Sequence, residues 1–287
     1  MKSKHWLVYA FITTLFWGVW GALIEIPEKA GFPATLGYTV WAITMIIPAL
    51  FALKIINWKL ETNRKAIYYG LVIGGLGASG QLILFHALKT GPAYLVFPFI
   101  SLSPILTIVL SFFLLKERVV FKSWMGIILA LVAIPLLTYQ PPEQGQNYGY
   151  SWILLSLLVF LAWGIQAFFM KIANNHMKAE SIFFYMMATA ILLIPWALFM
   201  TDFSQDINWG FKGPYLTAMI QILNAIGALC LVYAFRYGKA MIVSPLTNAG
   251  APVITIVISL VIYGVFPHWI TLVGMALAVI AIIMMPE

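Results

Sequence analysis

Long apolar runs alternate along the chain with short polar breaks. Ten runs stand out, at about 6–26, 35–56, 66–88, 92–115, 121–140, 151–172, 179–200, 213–236, 240–263 and 268–285. Charge gathers between them, in stretches such as NWKLETNRK (57–65) and KER (116–118). A helix needs about 20 mostly apolar residues to cross the hydrocarbon core of a bilayer. The runs have that length or approach it, and they use nearly all of the 287 residues. The pattern predicts an all-α integral membrane protein of ten transmembrane helices, with no room for a soluble domain.

Composition gives the physical reason. Hydrophobic residues make up 63% of the chain and charged residues 9%, and the mean hydropathy is +0.97. A soluble domain carries roughly 25% charged residues, so this chain cannot cover its surface with polar groups, and lipid must be its solvent. Lys2, Lys4 and His5 precede the first run as in a signal peptide. The run is too long for one and lacks a small-residue cleavage site, so it reads as a retained first helix.

The net charge of +7 changes the picture only through its distribution. With the N-terminus in the cytoplasm, the inner segments hold Lys2, Lys4, Lys54, Lys59, Arg64, Lys65, Lys116, Arg118, Lys122, Lys171, Lys178, Arg236 and Lys239, 13 of the 16 Lys and Arg. The outer segments hold Lys29, Lys89 and Lys212. This is the positive-inside asymmetry. It places both termini in the cytoplasm and accounts for the basic charge without a nucleic-acid partner. The single cysteine, Cys230, rules out an internal disulfide and a cysteine metal cluster.

The chain then repeats itself. ALKTGPAYLVFP (87–98) aligns with AFRYGKAMIVSP (234–245), and PILTIVLS (104–111) with PVITIVIS (252–259). Trp17-Gly18 matches Trp163-Gly164, and the spacing stays at 146–148 residues throughout. Five helices per copy put the second copy upside down: Lys89 falls outside and its counterpart Arg236 inside. Inverted repeats are a transporter architecture, in which two halves exchange roles around a midplane site. The division predicted is 1–140, a Pro/Gly-rich external linker PPEQGQNYGY (141–150), and 151–287.

Taken together, these motifs resemble the EamA branch of the drug/metabolite transporter superfamily. The resemblance spans nearly the whole chain, and LLKERV (114–119) is similar to that family's Gly-Glu-Arg-type helix ending. It implies ten helices in two inverted repeats and export or import of a small metabolite. One departure is visible: the position matching Glu117 is Val265, so the second copy lacks the acid.

Depth selects the candidate site. Trp17, Trp20 and Trp163 sit near mid-helix, whereas Trp6, Trp58, Trp124, Trp152, Trp209 and Trp269 form an interfacial belt. Trp17 and Trp20 share a helix face, as do Trp163 and Gln166; the expectation is an aromatic-lined cavity, against plain helix packing or lipid contact. GLGASG (75–80) fits the G-x-G-x-x-G dinucleotide fingerprint, but no acid follows until Glu117 and the whole stretch is apolar. Gly70, Gly74, Gly77 and Gly80 instead form a small-residue stripe for close helix approach. Their counterparts Thr217, Gln221, Asn224 and Gly227 make the eighth helix a polar wall. Gln221, Asn224 and Gln81 therefore face either a cavity or a neighbouring helix.

Pro98, Pro104, Pro245 and Pro252 predict paired interruptions of the fourth and ninth helices, either as a binding site or hinge or as a structural kink satisfied by neighbouring hydroxyls. Ser101 and Ser103 lie beside the first pair, and Thr247 and Asn248 beside the second. Glu25 and His86 are the candidates for proton coupling, with a solvated interface residue as the simpler reading of Glu25. Glu117, between Lys116 and Arg118, suits an ion pair or a gate contact.

An enzyme fails on inventory. Gly77-Ala78-Ser79-Gly80-Gln81 misses the final glycine of a serine-hydrolase motif, and no metal-ligand spacing exists. The expectation is a carrier without metal or cofactor. Its partners are the lipid bilayer and a small uncharged or zwitterionic solute such as an amino acid. The alternatives are an exporter of lipophilic drugs or lipid-like molecules, and a non-transporting scaffold or receptor. The absence of glycosylation sequons and long loops suits a bacterial inner membrane.

Overall fold

The computed structural model describes residues 5–91, 93–139, 149–264 and 266–286, with the backbone alone at 93, 94 and 98. The Pro98 side chain, Val265 and most of the linker 141–150 lie outside the described residues. Among the described residues the regular structure is entirely helical. Helices suit lipid, because each backbone polar group finds its partner within its own segment.

The helices are α1 (His5–Lys29, bent at Ile24), α2 (Ala34–Ile55), α3 (Arg64–Thr90) and α4, which comes in two pieces, Ala93–Ser101 and Pro104–Phe113. After α5 (Phe121–Leu137) follow α6 (Ser151–Ala173), α7 (Ala179–Phe199), α8 (Phe211–Tyr237), α9 (Ala240–Tyr263) and α10 (Trp269–Met284). Eight of them are long and apolar enough to cross a membrane. The two shorter ones, α5 and α10, hold the fifth place of each repeat and pack on each other. Gly126 and Gly274 permit that: a Cβ built on Gly126 would lie 2.9 Å from the Met285 nitrogen, and one on Gly274 would lie 2.8 Å from the Leu136 Cβ.

The most extensive helix contacts all join one repeat to the other: α3 with α6 and α7, α1 with α8 and α9, and α5 with α10. The repeats interdigitate, and their shared surface runs through the centre of the bundle. Matching contacts recur at corresponding positions of the two repeats. The Thr107 hydroxyl of α4 donates to the Gly164 carbonyl of α6 at 3.0 Å, and its counterpart Thr255 of α9 donates to the Gly18 carbonyl of α1 at 2.9 Å.

The prolines do not act as a matched pair. α4 breaks at Leu102–Ser103, and Pro104 opens the next helix at a position that needs no N–H donor. The break satisfies itself locally: Ser103 N donates to Ile100 O at 3.0 Å, and Ser101 Oγ to Phe97 O at 2.6 Å. α9 runs unbroken over Pro245 and Pro252. There Thr247 Oγ1 donates to Val243 O at 2.9 Å, and Asn248 Nδ2 to Ser244 O at 2.9 Å, whereas the carbonyls that lose a main-chain donor to the two prolines are those of Met241 and Asn248. The expectation of interruptions in both helices holds for the fourth and not for the ninth.

Helices α4 and α9 end alike. Lys116 and its counterpart Gly264 are both left-handed, at φ 54° and 66°. A residue with a Cβ loses about 1–2 kcal/mol there. Lys116→Gly is expected to stabilise the protein by about 1 kcal/mol, read as a rise in melting temperature in detergent. Gly264→Ala should move it the other way.

Candidate functional site

Two cavities meet on the shared surface of the repeats. The larger, about 710 Å³, reaches from Trp20, Gln81 and Asn224 to the turn bearing Glu25, Glu28, Lys29 and Pro33. The smaller, about 310 Å³, continues from the same residues towards the opposite face, past Met170, Leu231 and Phe235. Trp20, Trp41, Gln81 and Asn224 line both. These four form the waist between the cavities.

Glycines of one repeat seat the aromatic walls contributed by the other. A Cβ at Gly80 of α3 would lie 2.6 Å from Trp163 Nε1, and one at its counterpart Gly227 of α8 would lie 2.6 Å from Trp17 Cδ1. The stripe in GLGASG is thus where α6 lays its indole and its amide, since a Cβ at Gly77 would lie 2.2 Å from Gln166 Nε2. With a side chain at Gly80 or Gly227, Trp163 and Trp17 could not lie flush against the facing helix.

The polar groups divide into two kinds. Gln221 is a strut: its Oε1 accepts from Trp20 Nε1 at 2.9 Å, and its Nε2 donates to Gly37 O at 3.3 Å. Trp17 Nε1 donates to the Asn224 main-chain carbonyl at 3.3 Å. Gln81 and Gln166, by contrast, line the cavity and form no hydrogen bond among the described residues. Among the described residues, no ionisable side chain lines the smaller cavity. Its walls offer indole faces, methionines, free amides and the hydroxyls of Ser103, Ser244 and Thr247, a set suited to stacking and neutral hydrogen bonding.

The structure brings Trp17, Trp20, Gln81, Trp163, Gln166, Gln221, Asn224, Thr247 and Asn248 together around the two cavities. Pro104, Pro245 and Pro252 line neither. Glu25 lies at the mouth of the larger cavity, exposed and paired with Lys29 at 2.5 Å. His86 is exposed and lines neither cavity. Sequence reasoning missed α2, which supplies Tyr38, Trp41 and Met45 to the walls. Trp41 carried the same signal as Trp17, an indole set away from both helix ends.

Comparison with known proteins agrees with this architecture. The EamA-like transporter family matches the chain twice, at residues 4–139 and 150–285. Protein LicB of Haemophilus influenzae is 23% identical over 249 residues, 82% of each chain. A probable 4-amino-4-deoxy-L-arabinose-phosphoundecaprenol flippase subunit, ArnE, of Hamiltonella defensa is 34% identical over 82 residues, covering 28% of this chain and 73% of that one. A crystal structure superposes with a TM-score of 0.80 at 19% identity, covering 98% of this chain and 95% of that one, and it shares the fold. Two matches placed one after the other account for nearly every residue: the chain belongs to the EamA-like transporter family.

Proposed function

We propose that the chain carries a small amphipathic organic solute, such as an amino acid, across a bacterial inner membrane by alternating access. In this reading ten helices span the bilayer as two inverted repeats, 1–140 and 151–287. An external linker at 141–150 joins them, and both termini are cytoplasmic. The observation that carries the reading is the waist: Trp20, Trp41 and Gln81 of the first repeat and Asn224 of the second line both cavities. A solute held there would be uncovered on one face or the other as the repeats rock. The free amides of Gln81 and Gln166 orient it, the indoles cover its apolar part, and the break at Leu102–Ser103 in α4 serves as the hinge. Glu25 is the better placed of the two proton-coupling candidates, because it lines the mouth and His86 does not.

A second reading is a lipid-like substrate, favoured by the similarity to a flippase subunit. Counterflow in liposomes separates the two. Pooled labelled metabolites are expected to exchange through the wild type, and Asn224→Ala or Gln81→Ala should cut that exchange about tenfold, the worth of one lost hydrogen bond in a dry site. Exchange of a lipid-like probe alone would select the second reading. Exchange that neither substitution alters would remove the waist as the binding site.

A further inference from the structure

The larger cavity reaches the face that bears residues 25–33, and the smaller extends the other way to Phe235 and Ser244, which flank the turn between α8 and α9. That turn is gripped from both sides. The Glu117 carboxylate, at the end of α4, accepts the first N–H groups of α9: Oε1 from Ala240 N and Oε2 from Met241 N, each at 3.1 Å. From α6, Lys171 Nζ donates to Phe235 O at 3.0 Å and to Gly238 O at 2.5 Å, the last carbonyls of α8 and of the turn. A carboxylate on a helix N-terminus and an ammonium on a C-terminus are the charge placements the helix dipole favours, and hydrogen bonds to charged groups are about twice as strong as neutral ones. The left-handed Lys116 bends the chain after α4, and Glu117 N then bonds Ser111 O at 3.2 Å.

Glu117 belongs to the first repeat and α9 to the second, so this contact must break when the halves exchange roles. The symmetry-related turn, between α3 and α4, has no such grip in the sequence. The position matching Glu117 is Val265, outside the described residues, and the position matching Lys171 is Glu25. Glu25 is exposed and bonds Lys29 instead. A carrier with identical halves would rest equally in both states. We propose that Glu117, with Lys171 positioning the turn it caps, is a one-sided latch that holds the cytoplasmic face closed. The unloaded carrier then rests open to the outside and takes its solute from there. The inference rests on the carrier reading and the orientation given above.

The test uses full-length protein with Cys230→Ala and one reporter cysteine. Ser244→Cys sits in the smaller cavity, and Thr138→Cys in the larger. Membrane-impermeant maleimide is applied from each side of oriented vesicles. With the latch intact, Thr138→Cys is expected to react from outside and Ser244→Cys to resist reagent from the cytoplasm. Glu117→Gln should speed cytoplasmic labelling of Ser244→Cys about tenfold or more, the scale set by losing hydrogen bonds to a charged group, and slow Thr138→Cys. Lys171→Met should move both labels the same way. Labels that stay put in whichever of Glu117→Gln and Lys171→Met keeps its melting temperature would overturn the latch, as would loss of folding in both with no gain for Ser244→Cys in Glu117→Asp. Labels that shift while no solute exchanges through the unmodified protein would instead sink the carrier reading and leave the latch standing.

Discussion

Gly74→Ala is expected to cost the folded protein about 1–3 kcal/mol, the usual range for overpacking a tight contact, while Gly75→Ala beside it costs nothing. The two residues are adjacent and chemically identical, so the difference is purely one of surroundings. A Cβ on Gly74 would lie 1.9 Å from Thr189 Oγ1 and 2.9 Å from both the Met186 Cα and the Tyr185 carbonyl of α7. Backbone cannot step aside without separating α3 from α7. A Cβ on Gly75 would meet nothing within 4 Å, and alanine's better helix propensity should even add up to about 1 kcal/mol. Gly77→Ala falls between, because its obstacle is the movable end of Gln166; it should spare stability and displace the amide. Melting curves of the purified variants in detergent would decide it. Equal losses at 74 and 75 would mean that α3 does not meet α7 as described.

The same residues explain what the sequence could and could not say. Three- and four-residue spacing was enough to read the glycines as a packing stripe, because small residues at helical period have one common use in lipid. Spacing could not say that one of them abuts backbone and another an amide, since that depends on how α6 and α7 dock. The mid-helix indoles pointed to the cavity by their depth together with the polar residues that share their helix faces, which separates them from rings that face lipid. Trp41 met that criterion equally, but its repeat has no matching tryptophan to draw attention to it. Gln81 and Gln221 look alike in sequence. One is free and the other is tied to Trp20 and Gly37, a difference made wholly by the facing helices. The prolines misled for a related reason. A proline removes one donor wherever it sits, but whether the helix opens depends on how it packs, and α9 stays continuous across both Pro245 and Pro252.

Trp163→Ala and Trp17→Ala are each expected to lower solute exchange about ten- to a hundredfold, which is the worth of one lost aromatic wall at roughly 1.5–3 kcal/mol. The size follows from the area an indole covers in a cavity that offers no charge to compensate for it. The pair also tests the symmetry. Each ring rests on the matching glycine of the opposite repeat, Trp163 on Gly80 and Trp17 on Gly227. Gly80→Ala should therefore reproduce Trp163→Ala in part, by pushing the ring off its seat, and Gly227→Ala should do so for Trp17. Combining Gly80→Ala with Trp163→Ala should add little, because the glycine has no further role once the ring is gone. In a scaffold the four variants would change melting temperature alone, and their effects on exchange would vanish together. In a carrier, exchange falls more than stability does, and the glycine and tryptophan effects overlap pair by pair.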